Sequence, residues 1–337
     1  MNHKSIDKIA VVIPNLNGEM YLPLAIDSLL KQTIAIRIIV VENASTDDSK
    51  KILDNYQDKI HIIHNATNKG FAGGVNTGIA YALEHDFDLI ALFNNDAIAQ
   101  PNWIESLTSC MNAHPEVGIV TSKIQLADGK TLDSTGEFYT SWGLPYPRGR
   151  GLPVDLHNKN EYIFGASGGA SLYRSSLFKD IGLFDEKFFA YYEDTDVSFR
   201  AQLADWKVMF EPNAIVNHRQ GETSKKMARG FTVTQTFKNL PVLYAKNVPF
   251  GLLISTGIRF WFAYLLMLGN AVVHGNTVPA LKGLLGSLWL IPHTILSRRQ
   301  TQKTKRVSTS YIKSILIYDL PPDQTGIRKL RKFFSKK

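Results

Sequence analysis

The sequence predicts an α/β fold built on a mostly parallel sheet with helices on both faces. Three observations carry this. Over residues 8–112, short apolar runs and segments of helical period alternate four times in succession. The runs are continuously apolar, as in strands buried on both faces, and do not alternate with polar residues. The chain has 337 residues, 44% apolar and 20% charged, which suits a large buried core and excludes a disordered chain.

The elements follow in order. Residues 8–13 form the first strand, stopped by Pro14. Residues 21–31 place Leu22, Ala25, Ile26, Leu29 and Leu30 at helical spacing. Residues 37–41 make the second strand, 49–56 the second helix, 60–64 the third strand and 73–84 the third helix. The fourth strand is 89–93 and its helix 103–112. Ligands of such sheets gather at the carboxyl ends of the strands. The unusual residues fall there, in 14–18, 42–47, 68–76 and 94–96. A Gly/Pro-rich stretch over 142–153 interrupts the pattern, and a second unusual cluster runs from Phe164 to His218.

The net charge of +8 conceals an asymmetry. Residues 1–220 hold 19 Lys and Arg against 27 acidic residues, and residues 221–337 hold 19 against 3. An acidic, enzyme-like body over 1–235 is therefore expected to precede a basic, locally very apolar tail over 236–337. The single cysteine, Cys110, excludes an intramolecular disulfide and a cysteine-built metal site, and fits a reducing, cytoplasmic setting. Polar residues 1–8 run straight into the first strand, with no apolar leader segment expected.

Three places could carry chemistry. Asn94, Asn95 and Asp96 follow the fourth strand, where a carboxylate can meet a divalent cation shared with a phosphate. The same triplet also suits an asparagine-rich turn. Glu193, Asp194 and Asp196 open a helical run beside Phe188, Phe189, Tyr191 and Tyr192. The helix dipole accounts for one or two such acids, at about 1 kcal/mol or less each. It does not account for the aromatic residues, which would raise a carboxylate's pKa and shield it from water, as a general base requires. His218 ends an apolar run over 214–216 and is either a structural histidine or a ligand.

Taken together, residues 11–18, 41–47, 68–76 and 94–96 resemble family 2 glycosyltransferases, and within them the rhamnosyltransferase and galactofuranosyltransferase branch. Gly165 and Ala166, Gly182 to Asp185, Glu193 to Asp196 and His218 match the same branch, so the resemblance covers residues 8 to about 225. It implies a GT-A fold and inverting transfer of a sugar from a nucleotide-diphosphate sugar, such as dTDP-rhamnose or a UDP-sugar. Carried over, it implies that Pro14, Asn17, Glu42, Asn68, Gly70, Gly73, Asn76 and Asn95 bind the nucleotide sugar. It further implies that Asp194 is the catalytic base and that Asp96 and His218 hold Mg²⁺ or Mn²⁺. The family's first metal carboxylate is replaced by Asn94, so the metal should bind weakly without the donor's diphosphate. Arg148, Arg150, Glu193 and Arg200 are candidate anion or acceptor contacts.

The tail carries apolar runs over 248–273 and 278–296, the first long enough to cross a bilayer at about 20 residues. Arg259 inside it and the prolines of the second favour an interfacial position over a span. Lys225, Lys226 and Arg229 flank the runs on one side, and Arg298, Arg299, Lys303, Lys305 and Arg306 on the other, as expected for an anionic membrane surface. The expectation is an enzyme at the cytoplasmic membrane face, peripheral or anchored by a hairpin. Its acceptor would be a glycan, most simply a lipid-linked one, in cell-surface polysaccharide synthesis. A nicotinamide dehydrogenase is disfavoured, because the turn over 15–20 lacks the dinucleotide-binding glycine pattern. Nucleic acid is not an expected partner, since the tail's aromatic residues sit in apolar runs and not in a basic groove. The alternative from another class is a non-catalytic membrane scaffold that keeps the fold.

Overall fold

The computed structural model describes residues 8–219 and 230–318; the basic flank of Lys225, Lys226 and Arg229 lies outside them. The first half follows the alternation in the sequence: β1 (Ile9–Asn15), α1 (Leu22–Leu29), β2 (Arg37–Glu42), α2 (Ser49–Asp54), β3 (His61–His64), α3 (Gly70–Glu84) and β4 (Leu89–Phe93). These strands pair in parallel in the order β3-β2-β1-β4. All five residues of β4 are buried, the reason its run is apolar without alternation.

Beyond β4 the sheet is mixed. The chain continues through β5 (Ala97–Ala99), α4 (Trp103–Ala113), β6 (Val117–Leu126), β7 (Leu132–Ser134), the pair β8 (Glu137–Tyr139) and β9 (Pro145–Pro147), β10 (Glu161–Ile163) and β11 (Ala170–Arg174). Helices α5 (Ser175–Ile181) and α6 (Glu193–Leu203) precede β12 (Lys207–His218). β11 runs antiparallel between β4 and β6, and β12 pairs in parallel with β6. This brings the carboxyl ends of β1, β2, β4 and β12 and the start of β11 to one edge of the sheet. Two apolar layers cover its faces. One gathers Leu22, Ile26, Trp103 and Leu107, the other Val75, Ile79, Phe178 and Val197.

The tail forms α7 (Phe231–Asn247), α8 (Phe250–Val273), α9 (Thr277–Trp289), α10 (Ile291–Lys303) and α11 (Thr309–Ser314). The expected boundary at 235 falls inside α7. A third apolar core joins Phe164, Phe188, Phe199 and Leu203 of the body to Leu240, Leu243, Tyr244 and Phe260 of the tail. A buried polar network reinforces it. Asp196 pairs with Arg200 at 2.9 Å and Lys246 at 3.0 Å and accepts from Asn247 at 2.8 Å, while Asp185 meets Lys246 at 2.7 Å and His293 at 2.9 Å.

Two tail expectations are corrected. The second apolar run is broken at Leu290 into two 13-residue helices, each about 20 Å long at 1.5 Å per residue, too short for a spanning partner of α8. Among the described residues only α8 is long and apolar enough to cross a membrane, and one of its faces is packed in the third core. The basic flank is also partly structural: Arg298 donates to the carbonyls of Ala245 and Val248, and Arg306 pairs with Asp180.

Candidate active site

A cavity of about 760 Å³ opens at the carboxyl edge of the sheet. Pro14 at the end of β1, Asn94 to Asp96 after β4, and His218 at the end of β12 line it, together with Asn68 and Gly70 at the start of α3. Asn43 positions that start: its carboxamide donates to Gly70 O at 2.9 Å and accepts from Lys69 N–H at 3.1 Å. Gly70 has φ +69°, and a Cβ there would lie 2.3 Å from Phe189 O, so only glycine allows the approach. Asn95 lies on the cavity wall and donates to Asn15 Oδ1 at 2.8 Å; a Cβ on Gly18 would lie 2.1 Å from that oxygen.

His218 is held between two carboxylates. Its Nε2 lies 3.1 Å from Asp96 Oδ1 and its Nδ1 2.7 Å from Asp133 Oδ2. Burial lowers the imidazole's pKa, but the bonds to Asp133 and Asp96 outweigh it and raise it to about 9. The carboxylate behind Nδ1 is the partner that orients a metal-binding histidine. Asn94 Nδ2 lies 3.2 Å from Nε2. The donor set fits a divalent cation that would be held by Asp96 Oδ1 and by His218 Nε2 once the cation displaced its proton, with diphosphate and water as further ligands. Among the described residues no third acid, histidine or cysteine converges there.

Asp194, which also lines the cavity, sits in the first turn of α6. Its Oδ2 accepts from Gly168 N–H at 3.0 Å and its Oδ1 from Thr195 N–H at 2.8 Å. The same loop is tied to β4, since Asn94 N–H donates to Gly169 O at 2.9 Å. Burial raises the Asp194 pKa against the opposing pull of these backbone donors. Glu193 and Glu137 share the cavity wall; burial and the neighbouring Asp194 push both well above the usual range. Glu193 is 6% exposed and its Oε2 has no hydrogen-bond partner. Phe189, Tyr191 and Tyr192, just before α6, all have φ between 65° and 72°.

Several expected site residues lie elsewhere. Arg148 is buried against Glu161, Thr135 and His157, so it is not an anion contact. Arg200 is likewise spent on Asp196 and the carbonyls of Ile181, Gly182 and Leu183. Gly73 and Asn76 are also off the cavity wall. Gly73 faces Lys69, and Asn76 exchanges hydrogen bonds with Phe184 and donates to Glu186. Asn17 and Glu42 stand behind the wall: Asn17 Oδ1 accepts from Thr46 N–H, and Glu42 Oε1 accepts from Ser45 N–H at 2.6 Å. Arg150 lines the cavity and pairs with Asp133 at 2.9 Å. No sequence signal marks Asp133 and Glu137, because residues 132–139 form three-residue strands too short to show a period.

The family model for Glycosyl transferase family 2 matches residues 10–182, just over half the chain. The chain belongs to that family. It is a glycosyltransferase with a GT-A fold. The N-acetylglucosaminyl-diphospho-decaprenol L-rhamnosyltransferase of Mycobacterium tuberculosis is 24% identical over 209 residues, 56% of this chain and 68% of the relative. Among solved structures, S. aureus TarS 1–349 in complex with UDP-GlcNAc aligns with a TM-score of 0.56 at 14% identity, covering 94% of this glycosyltransferase and 95% of TarS. The mannosyltransferase PcManGT from Pyrobaculum calidifontis, in complex with GDP-Man and Mn²⁺, aligns at 0.51 and 14%, covering 92% and 89%. At these identities the two structures show the fold alone.

Proposed function

We propose that this glycosyltransferase transfers a hexose, with inversion, from a nucleotide-diphosphate sugar to a lipid-linked glycan at the cytoplasmic face of a membrane. The observation that carries this reading is one cavity lined both by the half-buried carboxylate of Asp194, whose pKa is raised, and by the Asp96–His218 pair. The donor's nucleotide lies along Pro14, Asn68, Gly70 and Asn95. Glu42, fully buried with its Oε2 3.9 Å from Lys50 Nζ, supports that wall from behind. Asp96 and His218 would hold Mg²⁺ or Mn²⁺, which when bound neutralises charge on the leaving diphosphate.

Asp194 takes the proton from the acceptor hydroxyl as that oxygen attacks the anomeric carbon, and the nucleoside diphosphate leaves from the opposite face. Glu193, Glu137 and Arg150 face the same space and are placed to bond sugar hydroxyls or the diphosphate. The Mycobacterium rhamnosyltransferase, named for a decaprenol-linked acceptor, supports a lipid-linked acceptor and a rhamnose donor, and TarS, solved with UDP-GlcNAc, supports a UDP-sugar donor. PcManGT, solved with GDP-Man and Mn²⁺, supports metal use.

Membrane contact is assigned to the tail. The outward face of α8 exposes Phe250, Ile254, Ile258, Trp261 and Leu265, and α9 exposes Leu285 and Trp289. With its other face packed on the body, α8 lies in the interface. Measuring nucleoside diphosphate release from a panel of UDP-, GDP- and dTDP-sugars, with and without Mn²⁺, tests the reading. Release with none of them overturns it and leaves the scaffold alternative.

A further inference from the structure

Asp194 is delivered by a backbone in an uncommon conformation. Phe189, Tyr191 and Tyr192 all occupy positive φ, although none is glycine. Such a segment persists only where its surroundings over-determine it. Its carbonyls show what does so. Ala72 N–H of α3 donates to Phe189 O at 3.1 Å, and Asp196 N–H closes the first turn of α6 on Tyr192 O at 2.9 Å. The other three carbonyls converge on one side chain from the tail. Asn239 Nδ2 lies 3.0 Å from Phe188 O, 2.9 Å from Ala190 O and 2.8 Å from Tyr191 O. Asn239 is 1% exposed, so bulk water does not compete with it for these carbonyls. Its neighbour Lys238 reinforces the contact by donating to Lys187 O at 3.0 Å.

We infer that Asn239 is a positioning residue for the transfer reaction, its carboxamide fixing segment 188–192 so that Asp194 faces the cavity. The inference rests on the reading of Asp194 as the base. Asn239 lies outside the segment matched by the family model, and nothing in the sequence marks it. It makes α7 part of the catalytic machinery rather than part of a detachable anchor. Alanine at 239 removes the Asn239 donor from the carbonyls of Ala190 and Tyr191, while Phe188 O keeps Ala190 N–H at 2.7 Å and Lys238 Nζ at 3.3 Å, and the loop relaxes toward negative φ. A displacement of the base of about 1 Å costs on the order of a hundredfold in rate. The nucleotide side of the cavity is built on β1, β4 and α3, and the variant leaves the bond from Ala72 N–H of α3 to Phe189 O in place.

The test uses the full chain and the nucleotide sugar that the wild type turns over best. For Asn239→Ala we expect kcat to fall about 10²-fold, while the affinity for the matching nucleoside diphosphate with Mn²⁺ stays within threefold. Asn239→Ser, which keeps one O–H donor, should recover part of the loss. Circular dichroism and a melting curve establish folding of each variant. A folded Asn239→Ala with kcat within twofold of wild type overturns the inference, as does a serine variant no faster than alanine. So does failure of both variants to fold, which would make Asn239 a stability element. Asp194→Asn, measured in parallel, separates the two claims: if it keeps wild-type turnover, the base assignment fails whatever Asn239 does.

Discussion

At the scale of single residues, Asp194 is the proposed base, and its environment makes a pH-dependent prediction. Burial raises its pKa above the ordinary aspartate value of about 3.9. A base acts only when deprotonated, so turnover is lost as pH falls through the raised value. The acidic limb of kcat should therefore lie above about pH 4, and a limb at or below that value would assign the proton transfer elsewhere. Asp194→Asn should lower kcat by about 10²–10⁴-fold, the range for general-base catalysis, with nucleotide affinity within a few-fold by calorimetry. The Asp96–His218 pair makes a separate prediction. EDTA should weaken nucleoside diphosphate binding to the wild type at least tenfold, and Asp96→Ala should remove the difference between chelated and Mn²⁺-loaded samples. Equal affinity in both conditions for the wild type would exclude a bound metal from donor recognition.

At the scale of elements, α7 matters most, because it joins body and tail through buried charge. Lys246 is 3% exposed and bridges Asp185 and Asp196. Removing one member of a buried ion network leaves its partners uncompensated, at about 3–5 kcal/mol. Lys246→Met should lower stability by that order in urea unfolding; a loss under about 1 kcal/mol would show the network to be relaxed by water. Burial raises the Asp185 carboxyl, but Lys246 and His293 outweigh it and hold it below the usual range. Its folded pKa thus lies under the unfolded value of about 3.9. The stability it contributes is complete above that pH and fades as pH falls below it. Acid unfolding should begin at higher pH in Lys246→Met than in the wild type. The network also bears on truncation. From the charge asymmetry alone, a chain cut after Asn239 should keep a working body. In the structure that cut removes Lys246, Asn247 and His293 and two thirds of the third core, so the shortened chain should not fold.

At the scale of the whole molecule, the outward faces of α8 and α9 concentrate the exposed apolar side chains. Ile254, Ile258 and Leu265 are 80%, 74% and 63% exposed, so replacing all three with glutamine should leave the melting temperature within about 2 °C. A buried aliphatic side chain contributes about 1.5–3 kcal/mol, and partial insertion of three predicts at least tenfold weaker binding to anionic vesicles in a sedimentation assay. Unchanged binding would remove this face as the membrane contact. Alkaline carbonate should release the wild type from membranes, since α8 is packed along one side; retention in the pellet would mean that it spans.

The sequence by itself determined the α/β class, the four parallel strands and the strand ends that carry Pro14, Asn68, Asn94, Asp96 and His218. These are local signals: a period, a buried run, a polar residue where the run stops. It also marked Asp194, because three acids beside four aromatic residues exceed what a helix start requires. Only the tertiary structure separated cavity residues from their supports. Arg148, Arg200, Gly73 and Asn76 share the motifs but point into packing, and side-chain direction is set by neighbours distant in the chain. Asp133 and Glu137 reach the cavity from strands too short to show a period, and Asn239 supports it from α7, where nothing local marks a buried amide. The tail's dual character was hidden for the same reason. Apolar and basic residues read alike whether they face lipid or a partner helix, and only the packing of α7 and α8 assigns one face to each.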